Sequence, residues 1–350
     1  NFGKTSNRGI ELSVNVDVIN KGDFRFNVGA IYNYNRNKLD ELPNADQYLY
    51  SSYWGSSSLV PTNDYMFVEG KAIGLVRGFI SEGYYTVDDF NYTNGQYVLK
   101  EGVPDITKAL TATYMHPYDL PAGQTAFPGA AKFRDVDESG TVDLDDATCL
   151  GEVMPRHTGS FQLNFNYKNF DLSTNFNWTA GGKVYNVAAM INASGQEFDG
   201  IGAQRASWVA DAFKVYNVNA AGDLYAVTNP DELRALNANA KYHLPYHQSG
   251  ITSSEWLENG SYLRLQTLTL GYTLPKNWLT KVHVDKIRLY LTATNLFTIT
   301  GYSGIDPEVN ANPTGQSGFY SDLRIFPTLN MDFGTYPRAR TFTFGANITF

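Results

Sequence analysis

From Ile10 to Val18, the apolar residues Ile10, Leu12, Val14, Val16 and Val18 alternate without a slip with Glu11, Ser13, Asn15 and Asp17. A period of two predicts a β-strand with one apolar face. After the polar stretch Asn20-Lys21-Gly22-Asp23 the pattern resumes with Phe24, Phe26, Val28, Ala30, Tyr32 and Tyr34, so the two segments read as a hairpin. A second hairpin follows the same design: Phe161, Leu163, Phe165 and Tyr167, a Lys168-Asn169 turn, then Phe170, Leu172, Phe176 and Trp178. Leu268, Leu270, Tyr272 and Leu274 precede Pro275, and Ile287, Leu289, Leu291 and Ala293 follow it. Leu263 and Leu265 have the opposite parity from Leu268, which a bulge or an exit from a membrane would explain. The last strand carries Phe342, Phe344, Ala346, Ile348 and Phe350 on one face.

The faces opposite these apolar rows hold mostly Asn, Thr, Ser and Gln, whereas the exposed face of a soluble sheet usually carries more Lys and Glu. That asymmetry fits an apolar face toward lipid and a polar face toward a wet lumen. The connections point the same way. Short turns near Asn20, Lys168 and Pro275 alternate with long stretches over 37–157, 181–259 and 301–338, as in a membrane barrel with short turns on one side and long loops on the other. The fold class is therefore all-β, a transmembrane antiparallel β-barrel with long external loops. Seven strands are too few to close a wide barrel, and an odd count leaves the two ends on opposite sides, so further strands are expected upstream. Within the loops, Asn229 followed by Pro230, Asp231 and Glu232 predicts a short helix over about 230–239. Gly74–Val87 and Gln96–Lys100 read as further strands, forming a hairpin in the first long loop.

Composition narrows the alternatives. Mean hydropathy is −0.32, and no stretch approaches the ~18 consecutive apolar residues of a membrane helix, which leaves strands as the only spanning elements. Aromatic residues make up 14% and charged residues 18%, and barrels place aromatics in interfacial girdles. A net charge of −8 without a Lys/Arg cluster argues against nucleic acid as a partner. The lone Cys149 allows no internal disulfide and reads as an inert thiol. Asn1 is not an initiator methionine and no charged-then-apolar leader follows it, so the chain reads as mature, cleaved or truncated.

One constellation carries metal chemistry. Asp135, Asp137, Ser139, Gly140, Thr141, Asp143 and Asp146 fall at the ligand and glycine positions of a calcium loop, with Thr141 offering its carbonyl. Ser139 replaces the usual Asp or Asn, and Asp146 the usual Glu, so the expectation is a weak calcium site. The alternative is a solvated acidic turn. Tyr48, Tyr50, Tyr53 and Trp54 could offer ring faces to sugars as a substrate-binding cluster, or could pack the loop internally. His243 and His247 are separated by Pro245, which breaks the helix that would aim both at zinc. No nucleophile elbow, Cys/His pair or phosphate-binding Gly loop is present, so no catalytic residue is assigned and the chain is read as a non-enzyme.

A set of short segments then resembles the SusC/RagA family of TonB-dependent outer-membrane transporters over essentially the whole chain. They are Asn7–Leu12, Tyr34–Lys38, Asp135–Gly140, Ser261–Leu265, Leu270–Pro275, Ala293–Phe297, Gly304–Val309 and Tyr336–Gly345, each weak alone and specific in their shared order. The resemblance implies the C-terminal part of a barrel of about 22 strands, in the outer membrane of a Gram-negative bacterium. The plug domain and TonB-contacting segment would lie upstream, outside this chain. It also implies a SusD-like surface lipoprotein as partner, a glycan or peptide substrate, energy from TonB, and an assembly signal in Phe342, Phe344, Ile348 and Phe350. The function expected is nutrient import, with this chain supplying wall and loops. The rivals are a passive porin-like channel and a soluble β-rich carbohydrate-binding domain.

Overall fold

The computed structural model describes residues 3–43, 46–52, 59–111, 116–194, 206–245, 250–280, 284–309 and 329–350. Seven long strands form one antiparallel sheet: β1 (Lys4–Lys21), β2 (Phe24–Glu41), β3 (His157–Tyr167), β4 (Phe170–Ala180), β5 (Tyr262–Thr273), β6 (Lys286–Thr300) and β7 (Thr341–Thr349). Their spatial order is their chain order, so every connection joins neighbours. The architecture is all-β, as the alternation predicts.

The register explains why the alternation is so regular. Phe26 pairs with Phe165, Phe165 with Leu172, Leu172 with Leu270, Leu270 with Leu291 and Leu291 with Phe344, an apolar row crossing six strands on one face. A one-residue slip at any ladder would turn the next strand's apolar set over, so each pairing constrains the next. On the opposite face Asn27 donates to Asn15 Oδ1 (2.7 Å) and Asp17 Oδ1 (2.9 Å), Ser173 donates to Asn164 Oδ1 (2.7 Å), and the Thr269 and Thr292 hydroxyls lie 2.9 Å apart. This face satisfies its polar groups laterally, as a wet lumen wall does.

The parity slip in β5 is a bulge. Phe176 pairs with Leu265 but Asn175 with Thr267, leaving Gln266 as the extra residue, and the β5–β6 ladder shifts at the same place. Gln266 is not idle, because Asn177 Nδ2 donates to its side-chain oxygen at 2.8 Å. The bulge keeps Leu263 and Leu265 on the apolar face while changing their parity.

The apolar face is exposed along its length: Leu12 is 57% accessible, Val14 56% and Phe344 74%. Aromatic rings bracket it at both ends. Toward the short turns Phe24 lies beside Tyr167 and Phe170 beside Tyr272, with centroids 6.4 and 4.6 Å apart. Toward the loops Tyr32 stacks on Trp178 at 6.1 Å and meets His157 Nδ1 through its hydroxyl at 2.8 Å. Two aromatic girdles around an apolar band match the outer surface of a membrane barrel, and a row of this size facing water would be anomalous.

The three long connections all leave the same edge and fold on one another, and the buried cores lie there. One core gathers Phe79, Tyr85, Tyr97, Ile106, Phe127, Phe213 and Leu233, and the other Leu39, Tyr65, Val76, Tyr185, Met190, Trp256 and Met331. Backbone pairing ties the loops together: Tyr185 pairs in parallel with Met331, and Phe79 bridges to Ser253. The expected helix spans Pro230–Leu236, with the Asn229 side chain accepting from the amides of Asp231 and Glu232. It stops short of 239 because the Asn237 amide turns back to the carbonyls of Leu233 and Lys214.

The expected pairing of Gly74–Val87 with Gln96–Lys100 is corrected. Gln96–Leu99 pairs with Phe90–Thr93 around Asn94-Gly95, both at positive φ, the turn that Asn-Gly favours. Leu75–Gly78 instead joins a four-stranded sheet with Thr148–Glu152 and Tyr65–Val68.

Placing a cation at mid-strand on the apolar face should separate the two faces energetically. Phe344→Arg is expected to cost about 2–4 kcal/mol of folding free energy in a bilayer, and Thr343→Arg on the polar face far less. Reversible unfolding of the full-length protein in lipid vesicles measures both.

Candidate functional site

Among the described residues, several places bring chemistry-bearing side chains together. The first lies at the loop end of the wall. On β5, Tyr262 and Arg264 share the polar face, and the guanidinium sits 5.5 Å from the Tyr262 ring centroid. Arg264 is 2% exposed, and it donates to Asp306 Oδ1 at 2.5 Å and lies 3.1 Å from Glu308 Oε2. Asp306 Oδ1 also accepts from the Glu308 amide (2.9 Å), and Arg338 donates to Glu308 Oε1 at 2.8 Å. Asn295, at positive φ on β6, donates to the Ala339 carbonyl at 3.0 Å. Two carboxylates and two guanidiniums thus clamp residues 301–309 and 337–340 to the wall. Arg264 and Asp306 are the buried members, and charges at such depth are tolerated only when paired. In the sequence these residues stand only as letters in short segments. The one signal of a buried partner is an arginine set between Leu263 and Leu265.

A second pair lies at the turn end of the polar face. Arg288 on β6 reaches across β5 to Asp171 on β4, with Nε 2.9 Å from Oδ1. Its path crosses Gly271, where a Cβ would fall 2.5 Å from Arg288 Nη2 and from both Asp171 oxygens. Glycine is required there by close approach.

The third is the acidic loop. One oxygen each from Asp135, Asp137 and Asp146 lie within 4.8 Å of one another, a spacing a single ion with ~2.4 Å bonds to oxygen can bridge. Glu138 and Gly140 take positive φ to turn the loop. Asp146 is fully buried and receives the Val136 amide (2.6 Å) on one oxygen and the Asp143 amide (2.8 Å) on the other. The Ser139 hydroxyl oxygen lies 3.0 Å from the Thr141 carbonyl. Asp143 is not drawn in, because its side chain caps the short turn Leu144–Asp146 by accepting from the Asp145 amide. Hydrogen bonds from the Ser139 hydroxyl and amide hold Asp137 below the usual carboxylate range.

The aromatic candidates divide. Tyr50 is buried, stacked on Phe67 with centroids 4.8 Å apart, and desolvation pushes its phenol well up, so its ring packs the loop. Tyr48 is exposed, and Tyr53 and Trp54 lie outside the described residues. His243 is buried, with Nε2 3.9 Å from Glu255, whose carboxyl burial holds above its usual range; His247 lies outside the described residues. Phe342, Phe344 and Ile348 line the outer edge of β7 on the apolar face, and Phe350 follows them, 85% exposed.

No family model matches the chain. It is 29% identical over 351 residues to TonB-dependent receptor P3 of Formosa agariphila, and 24% identical over 359 residues to TonB-dependent receptor SusC of Bacteroides thetaiotaomicron. Both alignments cover the whole chain. Its homologues are TonB-dependent receptors. The chain spans 29% and 27% of those two relatives' lengths. The RagAB peptide importer in its closed-closed state superposes with a TM-score of 0.62 at 19% identity, over 99% of this chain and 30% of that one. An open-open state of the same importer gives 0.61. That likeness bears on the fold alone, and agrees with the all-β architecture described above. In this structure Ser261–Leu265, Ala293–Phe297, Gly304–Val309 and Tyr336–Gly345, far apart in the chain, meet at the Arg264 clamp.

Asp306→Asn should leave Arg264 buried with half its compensation, at a cost of about 3–5 kcal/mol to the local structure. Limited proteolysis of the full-length protein is expected to cut within 301–309 or 337–340 faster in the variant than in the wild type.

Proposed function

We propose that this chain is part of the wall and external loops of a TonB-dependent outer-membrane importer that takes up glycans or peptides with a SusD-like surface lipoprotein. The observation that carries the reading is the sheet itself. Seven strands present an unbroken apolar row and two aromatic girdles outward, an amide-rich face inward, and all long loops at one end. Homology to TonB-dependent receptors over the whole chain supports active import above a passive channel. In this reading β1 and β7 pair with strands supplied from upstream, where the plug and TonB-contacting segment also belong. Phe342, Phe344, Ile348 and Phe350 serve as the assembly signal. The loops form the outer vestibule and the lipoprotein's seat, with the exposed Tyr48 offered to substrate.

Uptake by cells carrying the full-length receptor tests this. Import of the cognate glycan or peptide is expected to stop on loss of TonB or collapse of the inner-membrane proton gradient. Import that persists at the same rate without either would favour the porin-like channel.

The acidic loop belongs to the same proposal as a calcium site that stiffens the outer cap, held by Asp135, Asp137 and Asp146 with Ser139 and the Thr141 carbonyl beside them. Calorimetric titration of the full-length protein with calcium should give one site that Asp135→Ala abolishes. Protons compete for the same oxygens, so affinity should fall as pH drops through the carboxylate range. Asp137 stays ionised to lower pH than an ordinary carboxylate, so its own contribution is lost later in that fall. Absence of heat in the wild type removes the calcium assignment.

A further inference from the structure

The segments Asn7–Leu12 and Tyr34–Lys38 meet in register on β1 and β2. Ile10 stands opposite Tyr34 and Arg8 opposite Arg36 with no bulge between them, so both arginines share the outward face of the apolar row. Both are exposed, and neither guanidinium has a hydrogen-bond or ion-pair partner among the described residues. Like charges directly opposite on one sheet face repel. The charges around them are already answered: Lys38 lies 3.3 Å from Asp40, Lys4 is opposite Glu41, and Arg156 is held by Glu152 at 2.6 Å. Arg36 is not at an edge of the sheet. β1 flanks it on one side, and on the other the Arg156 carbonyl accepts from the Asn35 amide at 2.9 Å.

Depth decides what this pair meets. Along β2 the turn-end girdle is marked by Phe24 and the loop-end girdle by Tyr32 and Tyr34, whose ring lies 5.2 Å from that of His157. From Phe24 to Tyr34, at ~3.4 Å per residue and a tilt of ~40°, the strand rises about 26 Å, matching the ~25 Å apolar band of a membrane barrel. Arg36 comes two residues beyond Tyr34, about 5 Å further out on the same scale, and Arg8 lies beside it. Both therefore clear the girdle and stand among the headgroups. Two guanidiniums without a carboxylate at that level suit a phosphate, whose oxygens can accept from both forks, on a molecule whose apolar part lies against the row below.

We propose that Arg36 and Arg8 together bind the phosphate of a phosphorylated lipid headgroup in the outer leaflet, its acyl chains lying along Tyr34, Ile10 and Leu12. The bound phosphate relieves the repulsion between the two arginines. The proposal rests on the membrane-barrel reading above, and the two can fail separately.

The test uses the full-length receptor in vesicles of zwitterionic lipid doped with a monophosphorylated glycolipid or its phosphate-free counterpart. Flotation with the vesicles reads insertion, and native mass spectrometry of the released protein counts retained glycolipid. The wild type should retain the phosphorylated form preferentially. Arg36→Gln should weaken that retention about fivefold, the scale of one basic residue at a membrane surface, and Arg36→Gln with Arg8→Gln about twenty-five-fold. Arg134→Gln, which breaks a pair with Glu82 in the loops, should change nothing, and heat-modifiable migration shows that each variant has folded. Equal retention by the wild type and the double variant, or of the two glycolipids by the wild type, overturns the proposal although the receptor floats. Displacement of the glycolipid by millimolar inorganic phosphate overturns the lipid assignment in favour of a soluble anion. A receptor that does not float overturns the membrane reading and this proposal with it.

Discussion

The whole arrangement depends on strand register. Side chains alternate faces along a strand, so the apolar set of each of the seven strands meets lipid only if its neighbour is paired without a slip. The row from Phe26 through Phe165, Leu172, Leu270 and Leu291 to Phe344 is the outcome, and the lateral bonds of Asn27, Asn164 and Ser173 are its counterpart within. In a bilayer each ladder also satisfies backbone groups that no water could reach, which is why pairing and burial cannot be separated here. Where the register must change, in β5, the extra residue is a glutamine whose side chain is bonded on the polar face.

The wall, by contrast, holds little core of its own. The buried aromatic and aliphatic clusters lie in the connections, which are long enough to fold as a cap and are cross-linked by short sheets such as Tyr185 with Met331. The Arg264 clamp joins this cap to the wall, since it sits on β5 and holds residues from both ends of the third connection. A cap anchored in this way can present loops to a ligand while the wall keeps its register.

Much of the wall was legible because a period of two over nine or more residues is a local signal, and local sequence sets it. The seven strands and the Asn229 cap read directly from such patterns. The loops resisted for the opposite reason. Leu75–Gly78 finds its partners at Tyr65–Val68 and Thr148–Glu152, and no local pattern encodes the second of these. The Asn94-Gly95 turn was a readable signal that outranks the pairing expected for Gln96–Lys100. At the candidate sites, spacing brought Asp135, Asp137 and Asp146 together, but it could not reveal that Asp143 would cap a turn. Nor could it show that Arg264 would be buried against carboxylates about forty residues away, because those outcomes are decided by tertiary packing.

The central claim is that one face of the sheet meets lipid and the other water. Spin labels placed singly from Ile10 to Val18 in the full-length receptor, reconstituted in vesicles, report collision with lipid-soluble oxygen and with a water-soluble nickel chelate. The account predicts oxygen maxima at Ile10, Leu12, Val14, Val16 and Val18, and chelate maxima at the residues between, in strict alternation. Uniform chelate access along the strand, with no period of two, would contradict it.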